Sequence, residues 1–252
     1  MQMADQTYRL YSDLAWLWPM WGDASEYAPY CAHVTRLIRQ SARREVHSLL
    51  NMGCGGGKNV FNLKQDFAVT GLDISPAMLD LASQLNPECR FLQADMRTFS
   101  LPERFDAILI DDAICYMTTE TDLRAVFQSA YAHLHAGGVM VCGPDDTPET
   151  FVQNHTRATH AAAAKPEHVE VVFIENYFDP APGDTEYDAL MIYLIRENGQ
   201  LRIEHDLHRL GLFSLDVWRR LLISAGFEIH AVEYAEDGKR FAEFACVKAA
   251  PA

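Results

Sequence analysis

No apolar run in this chain approaches the ~20 residues a helix needs to cross a bilayer, so no helical membrane span is expected. The apolar stretch 14–21 has no basic region before it and no small-residue cleavage site after it, which argues against a secretory signal there. CxxC pairs are also missing. The six cysteines, Cys31, Cys54, Cys89, Cys115, Cys142 and Cys246, are widely spaced, and several lie inside apolar runs. That pattern excludes a disulfide framework and a zinc site and points to buried, reduced thiols in a cytoplasmic protein. Basic residues are few: 21 Lys and Arg stand against 35 Asp and Glu, a formal net charge of −14. This balance disfavours electrostatic capture of nucleic acid or an anionic membrane and otherwise serves solubility. No His/Asp/Glu cluster has metal-ligand spacing, no GxSxG nucleophile elbow occurs, and no repeat or low-complexity tract stands out.

What is present is an alternation of strand and helix signals. The 252 residues are 49% apolar and 22% charged, enough for one large domain or a domain with an insertion. An aromatic-rich segment (1–25) precedes a helix over 26–44. Strands follow at 46–51, 68–72, 89–93, 105–110 and 139–142. Helices are predicted at 58–65, from the Ser75-Pro76 cap, and from Thr119 with Asp122 as far as residue 135, where Gly137-Gly138 stops the helix. Such alternation means a parallel sheet with helices on both faces. After Gly143 the rhythm breaks. Thr147-Pro148 suggests a short helix, and 161–164 a loop or helix end. Three strands, 168–177, 186–196 and 201–209, then follow without helices between them. Asn198-Gly199 gives a strong hairpin signal. Ser214 caps a last helix to Ala225, Gly226 stops it, and strands near 227–234 and 241–247 finish the sheet. The expected organisation is 1–45 as lid and helix, 46–149 with 214–252 as core, and 150–213 as an antiparallel insertion.

The turn after the first strand carries the most chemical information. Leu49-Leu50-Asn51-Met52-Gly53-Cys54-Gly55-Gly56-Gly57 runs from strand into glycine-rich turn. A P-loop would need Ser or Thr after Gly57-Lys58, where Asn59 stands. A dinucleotide GxGxxG would place its third glycine on Lys58 or Val60. What remains is GxGxG from Gly53 to Gly57, which lets backbone approach a ligand with no pyrophosphate. Asp73, at the tip of the second strand, can take both ribose hydroxyls. Asp95-Met96 can meet an adenine, the acid accepting from the amino group and a backbone N–H donating to the ring. Asp111-Asp112 ends the fourth strand beside the crevice where open α/β sheets bind ligands.

Together with Gly71-Leu-Asp73-Ile-Ser-Pro-Ala-Met, Ala94-Asp95-Met96-Arg and Phe105-Asp-Ala-Ile, this order resembles the class I S-adenosylmethionine-dependent methyltransferases over roughly residues 46–145. The Tyr-rich 8–13 and the run His208-Arg209-Leu210-Gly211-Leu212-Phe213-Ser214 resemble the small-molecule branch that contains amino-sugar N-methyltransferases. The resemblance implies a Rossmann-like, seven-stranded, mostly parallel sheet with an antiparallel insertion that holds a small-molecule substrate and often forms a homodimer. It implies S-adenosylmethionine as cofactor, with Tyr11, Asn51, Gly53, Gly55, Gly57, Asp73, Ile74, Asp95, Met96 and Asp111 as its contacts. The family usually carries an acid where this chain has Asn51, whose amide keeps an acceptor oxygen but not the charge for the methionyl ammonium. The competing readings are a non-catalytic nucleoside-ligand or partner-binding module on the same fold and an NAD(P)-dependent oxidoreductase.

Methyl transfer from a sulfonium needs in-line positioning, a deprotonated nucleophile and exclusion of water. Tyr11 and the 16–21 segment are the candidates for a water-excluding lid, with packing onto the core as the equal alternative; Tyr11 is expected to contact the cofactor and the tryptophans to be buried. Candidates for the base are Asp112, Tyr116, His205 and His208. Alternation along 201–209 puts Leu201, Ile203 and Leu207 on one face with His205, and Arg202, Glu204, Asp206 and His208 on the other. That assigns His205 to the core and His208 to a polar site, while His133 and His135 are expected at the surface. Asp145, Asp146 and Glu175 would suit a cationic amine. Lys239-Arg240 lies near the position where sugar-acting relatives meet a nucleotide phosphate. A free amine and a nucleotide-linked sugar both remain open.

Overall fold

The computed structural model describes residues 8–161, 168–236 and 238–249. The parallel strands are β1 (Ser48–Met52), β2 (Ala68–Asp73), β3 (Arg90–Gln93), β4 (Phe105–Ile110) and β5 (Leu134–Cys142). Next come β6 (His155–His160), β7 (Val169–Phe178), β8 (Glu186–Glu197) and β9 (Gln200–Gly211), then β10 (Phe227–Glu236) and β11 (Lys239–Lys248). The helices are α1 (Ala28–Ser41), α2 (Lys58–Leu63), α3 (Pro76–Leu85), α4 (Glu120–His133) and α5 (Leu215–Ser224). The main sheet has the order β10-β11-β5-β4-β1-β2-β3, parallel from β5 to β3, with β11 antiparallel to both β5 and β10. This is the expected seven-stranded, mostly parallel sheet. The order reverses between β1 and β4, so their C-terminal ends open a crevice.

Helices on both faces explain why all six residues of β4 are buried. Leu50, Met52, Ile108, Ile110 and Met140 pack toward Phe127 of α4 and Trp218 of α5. Their neighbours Leu49, Leu109, Val139 and Val141 pack toward Val34 and Ile38 of α1 and Val60 of α2. Capping fixes where the helices begin. Ser75 Oγ accepts the Met78 N–H at 3.1 Å, Thr119 Oγ1 that of Asp122 at 3.1 Å, and Ser214 Oγ that of Val217 at 3.4 Å. Each such cap is worth about 1 kcal/mol.

Strands β6 to β9 form a separate antiparallel sheet in sequence order. Its inner face, with Val171, Phe173, Tyr187, Ala189, Tyr193 and Leu210, is covered by Leu10, Leu14, Leu17 and Met20 from 3₁₀ turns at Arg9–Tyr11 and Ala15–Met20. The N-terminal segment is therefore a strap, pinned to the second sheet by apolar side chains and free to present its other side chains to the crevice.

Several expectations need correction. Gly137-Gly138 does not stop a helix. Leu134 already pairs with Phe105, and the glycines sit in a register shift within β5, Gly137 with φ +78°. Thr147-Pro148 forms a turn, with Thr150 and Phe151 N–H both donating to Thr147 O. Strand β6 was not anticipated, and of 161–164, residues 162–164 lie outside the described residues. His133 is buried rather than at the surface. Its Nε2 accepts the Leu101 N–H at 2.9 Å, its Nδ1 lies 2.7 Å from Ser129 O, and its ring stacks on Phe99. The backbone acceptor fixes the proton on Nδ1. His205 is exposed, because the face it shares with Leu201, Ile203 and Leu207 points outward.

Candidate functional site

The glycine turn after β1 enters the crevice directly. Gly53 has φ +73°, and a Cβ there would lie 2.1 Å from the Ala113 Cβ, so only glycine lets the chain pass under the segment after β4. Gly55 N–H donates to Asp73 Oδ2 at 2.8 Å, and Ser75 N–H to Asp73 Oδ1 at 2.9 Å, aiming the carboxylate across the β1 and β2 ends. Burial raises the Asp73 pKa above the usual carboxylate range. Its oxygens retain lone pairs for two hydroxyl donors. Gly57 lies outside the crevice. It packs on Ala82 of α3, and its carbonyl accepts from Asn86 Nδ2 at 3.0 Å. Lys58 stands where a dinucleotide loop would need its third glycine.

The resulting cleft holds a cavity of about 240 Å³. Gly53, Gly55, Asp73 and the exposed Ile74 line one wall, and Asp95 and Met96 another. Asp95 keeps its charge. Burial opposes ionisation, but a paired guanidinium contact with Arg97 (2.6 Å) and the Arg97 N–H hold its pKa below the usual value. Tyr11, Trp18, Asp111, Asp112 and Tyr116 complete the lining. Asn51, fully buried at the root of the turn, donates from Nδ2 to Leu109 O at 3.4 Å, and its Oδ1 has no partner. A buried acceptor without a donor needs one, and a methionyl ammonium entering beneath the turn would supply it. The side-chain-free glycines that bring the turn's backbone against the cleft, the ribose-reaching acid and this orphan oxygen all fit S-adenosylmethionine.

The strap roofs the cleft. A Cβ on Gly56 would meet the Trp18 ring at 2.3 Å, so the indole lies directly on the turn. Lys58 Nζ is buried and donates to the carbonyls of Trp18 and Trp21 at 3.2 and 2.5 Å, and Ser75 Oγ donates to Tyr11 O at 2.6 Å. The tryptophans divide between the two roles open to the 16–21 segment, lid and burial. Trp16 is exposed, Trp18 faces the cleft, and Trp21 stacks on Phe173. Sequence reasoning missed Lys58 because a lysine at a helix start carries no signal of burial.

A hydrogen-bond chain joins the three separately predicted residues Tyr11, Tyr116 and His208. Tyr11 Oη lies 2.8 Å from Tyr116 Oη, Tyr116 Oη 2.6 Å from His208 Nδ1, and His208 Nε2 2.8 Å from Asp206 Oδ2. His208 is wholly buried beneath the Tyr8 ring, which stacks on it at 4.3 Å. Burial pushes both cleft tyrosines well above the usual phenol range, so both keep their protons. Asp206, which the sequence assigned only to a polar face, is the missed member. Its spacing of two from His208 on one strand was the signal that could have found it.

Next to the cleft, sharing Tyr27, Asp111 and Asp112, is a second cavity of about 360 Å³ walled by Trp21, Tyr30, Asp145, Tyr234, Phe241 and Glu243. Asp111 accepts from Asn59 Nδ2 at 2.7 Å. The charge of its neighbour Asp111 pushes the pKa of Asp112 well up. Burial, then Asp111, raises Asp145 to about 7. Carboxylates crowded this way bind a cation readily, because a cation relieves both terms. Glu175 does not belong to this group. It is spent on Arg157 and on Tyr177, whose hydroxyl donates to it at 2.7 Å. Arg240 pairs with Glu233 at 2.8 Å, while Lys239 Nζ lies over the Phe241 ring at the cavity's edge.

Residues 49–138 match a methyltransferase-domain family model. The chain is 30% identical, over 85% of its length and 84% of the relative's, to a dTDP-4-amino-2,3,4,6-tetradeoxy-D-glucose N,N-dimethyltransferase of Saccharopolyspora spinosa. It is 28% identical, over 86% and 89%, to a dTDP-3-amino-3,4,6-trideoxy-alpha-D-glucopyranose N,N-dimethyltransferase of Streptomyces venezuelae. Its fold is similar to that of an amino pentose methyltransferase from Micromonospora echinaspora solved with S-adenosylmethionine bound (TM-score 0.77, 25% identity, covering 97% of this chain and 99% of that one).

Proposed function

Because the chain belongs to the class I S-adenosylmethionine-dependent methyltransferases and acts on a small molecule, we propose that its acceptor is the amino nitrogen of a sugar carried on a nucleoside diphosphate. The observation that carries this reading is the acidic cavity opening onto the cleft at Asp111 and Asp112. An amine in water is an ammonium, and three crowded carboxylates attract it where an anionic acceptor would be repelled. The relatives of S. spinosa and S. venezuelae, matched over most of their length, carry dTDP-amino sugars in their names. Lys239 at the cavity's edge is the cation we assign to the diphosphate.

S-adenosylmethionine, when bound, supplies a methyl group on a positively charged sulfur. In this reading Asp73 holds the ribose, Asp95 and Met96 the adenine, and Asn51 Oδ1 the methionyl ammonium. Ile74 lies against the nucleoside, while Gly53 and Gly55 leave room for its tail. Tyr11 and Trp18 keep water out, and Asp112 orients the amine. The base is the tyrosine pair backed by His208. Within 1–45 the strap then acts as lid while α1 packs on the sheet, and the insertion 150–213 forms the acceptor side of the molecule.

Incubation with S-adenosylmethionine and the S. venezuelae relative's dTDP-amino sugar should yield S-adenosylhomocysteine and a sugar heavier by one or two methyl groups. Mass spectrometry showing S-adenosylmethionine binding but no transfer, either to this sugar or to its 4-amino counterpart, would remove the amino-sugar assignment.

We also infer a homodimer built through β9. This edge strand exposes Leu201 (47%), Ile203 (60%) and Leu207 (42%) in a row, and a twofold axis would bury the stripe on its own copy. Six free thiols, five of them buried, suit a cytoplasmic setting.

A further inference from the structure

We propose that Asp206 sets the direction of the hydrogen-bond chain Asp206–His208–Tyr116–Tyr11, so that the chain presents a proton-accepting oxygen to the acceptor amine. The inference rests on the amino-sugar reading for its substrate but not for its geometry.

Asp206 Oδ2 accepts from His208 Nε2 and from the Leu10 N–H at 3.0 Å. Burial opposes its charge, but His208 and the backbone N–H groups of residues 9 and 10 hold its pKa below the usual value. A carboxylate only accepts, so His208 Nε2 must carry a proton. A neutral imidazole then has its lone pair on Nδ1, which faces Tyr116 Oη at 2.6 Å. Tyr116 therefore donates to His208, and its oxygen is left to accept from Tyr11 at 2.8 Å. Tyr11 has given its only proton inward, and its remaining lone pairs belong to the cleft it lines. With the ring neutral, each step leaves one arrangement, whereas an imidazolium would donate from Nδ1 to Tyr116. Turning any member around would put two donors or two lone pairs face to face.

This polarity suits an ammonium acceptor. The amine gives a proton to Tyr11 Oη as Tyr11 passes its own to Tyr116, and Tyr116 passes its own to His208 Nδ1. The products are a neutral amine and an imidazolium held against Asp206, with no tyrosinate formed. The nitrogen lone pair then forms the C–N bond as the C–S bond breaks, and sulfur keeps that electron pair. The chain resets when His208 returns its proton outward. The same carboxylate grips Leu10, next to Tyr11, so it places the first oxygen of the chain as well as orienting the ring. Asp206 touches neither reactant and is a positioning residue.

Nitrogen-15 spectra of the histidine-labelled protein test the polarity without any substrate. His208 should show a protonated Nε2 and a bare Nδ1, and Asp206→Asn should shift population to the opposite tautomer while S-adenosylhomocysteine still binds. With the S. venezuelae dTDP-amino sugar as acceptor, Tyr116→Phe and Asp206→Asn should each lower kcat on the order of 10²-fold, leaving KM for S-adenosylmethionine unchanged. The double variant should be no slower than the slower single one, as for groups that act as one unit. A protonated Nδ1 in the wild type would overturn the proposal, as would losses that multiply in the double variant. Should the wild type fail to turn over that sugar, the acceptor assignment falls, and the ring-nitrogen spectra alone decide the polarity.

Discussion

Asp73 is held by two backbone N–H groups and still has lone pairs for two more donors. A hydrogen bond to a charged acceptor is worth about 1.5–3 kcal/mol. Asp73→Asn should therefore weaken S-adenosylmethionine binding about 10- to 100-fold by calorimetry, and should lower the melting temperature as well, since its NH2 would face one of the two backbone N–H groups. An unchanged affinity would mean that the ribose lies elsewhere. Asp145 carries a different consequence. Its folded pKa is raised to about 7 from an ordinary 3.8, so the folded state binds the proton more tightly than the unfolded chain. Its favourable contribution is full below pH 3.8 and is lost as pH rises to about 7. Asp145→Asn should gain thermal stability over the wild type across that window, and the gain should level off above it. A difference independent of pH, measured by calorimetric melting, would contradict the assignment. Parity at this scale was legible in the sequence and orientation was not. The two-residue period grouped Asp206 with His208 and Leu201 with Ile203, as found. It could not say that the polar face turns inward, because the groups that satisfy that face are distant in sequence: Tyr116 by 92 residues from His208, and the Leu10 N–H by 196 from Asp206.

At the scale of elements, the strap and the glycine turn are fitted to each other. A methyl group on Gly56 would overlap the Trp18 ring, although the backbone there tolerates alanine. Overpacking of this sort costs about 1–3 kcal/mol. Gly56→Ala should displace the indole and weaken cofactor binding, and Trp18→Ala in the same chain should recover part of the loss. Additive losses in that double-mutant cycle would show that the two do not touch. The elements around this fit were readable because their signals are local. Ser75, Thr119 and Ser214 cap where caps were expected, and Asn198 and Gly199 take the positive φ of a tight hairpin. Strand β6 gave no such signal. His155–His160 holds a single apolar residue and is extended only because β7 pairs with it. The glycines of β5 read as a helix stop, since a positive φ serves a bulge as well as a cap, and only Phe105 across the ladder decides between them.

At the scale of the whole molecule, one sheet binds the nucleoside and the other is built around the strap. If β9 joins two copies, Ile203→Asp should convert a dimer to a monomer in sedimentation while each subunit still binds S-adenosylmethionine. A wild-type protein that sediments as a monomer would remove the dimer outright. The strap also couples two events that need opposite things. It roofs the nucleoside through Trp18 and carries Tyr11 into the acceptor chain. If S-adenosylhomocysteine leaves by lifting that roof, the same motion would withdraw Tyr11 from a sugar that has received one methyl. On the amino-sugar reading, a mono-methylated product would then be set loose at each cofactor exchange. A second methylation would begin from a fresh encounter, and mono-methylated sugar should build up early in the time course before the dimethylated form overtakes it.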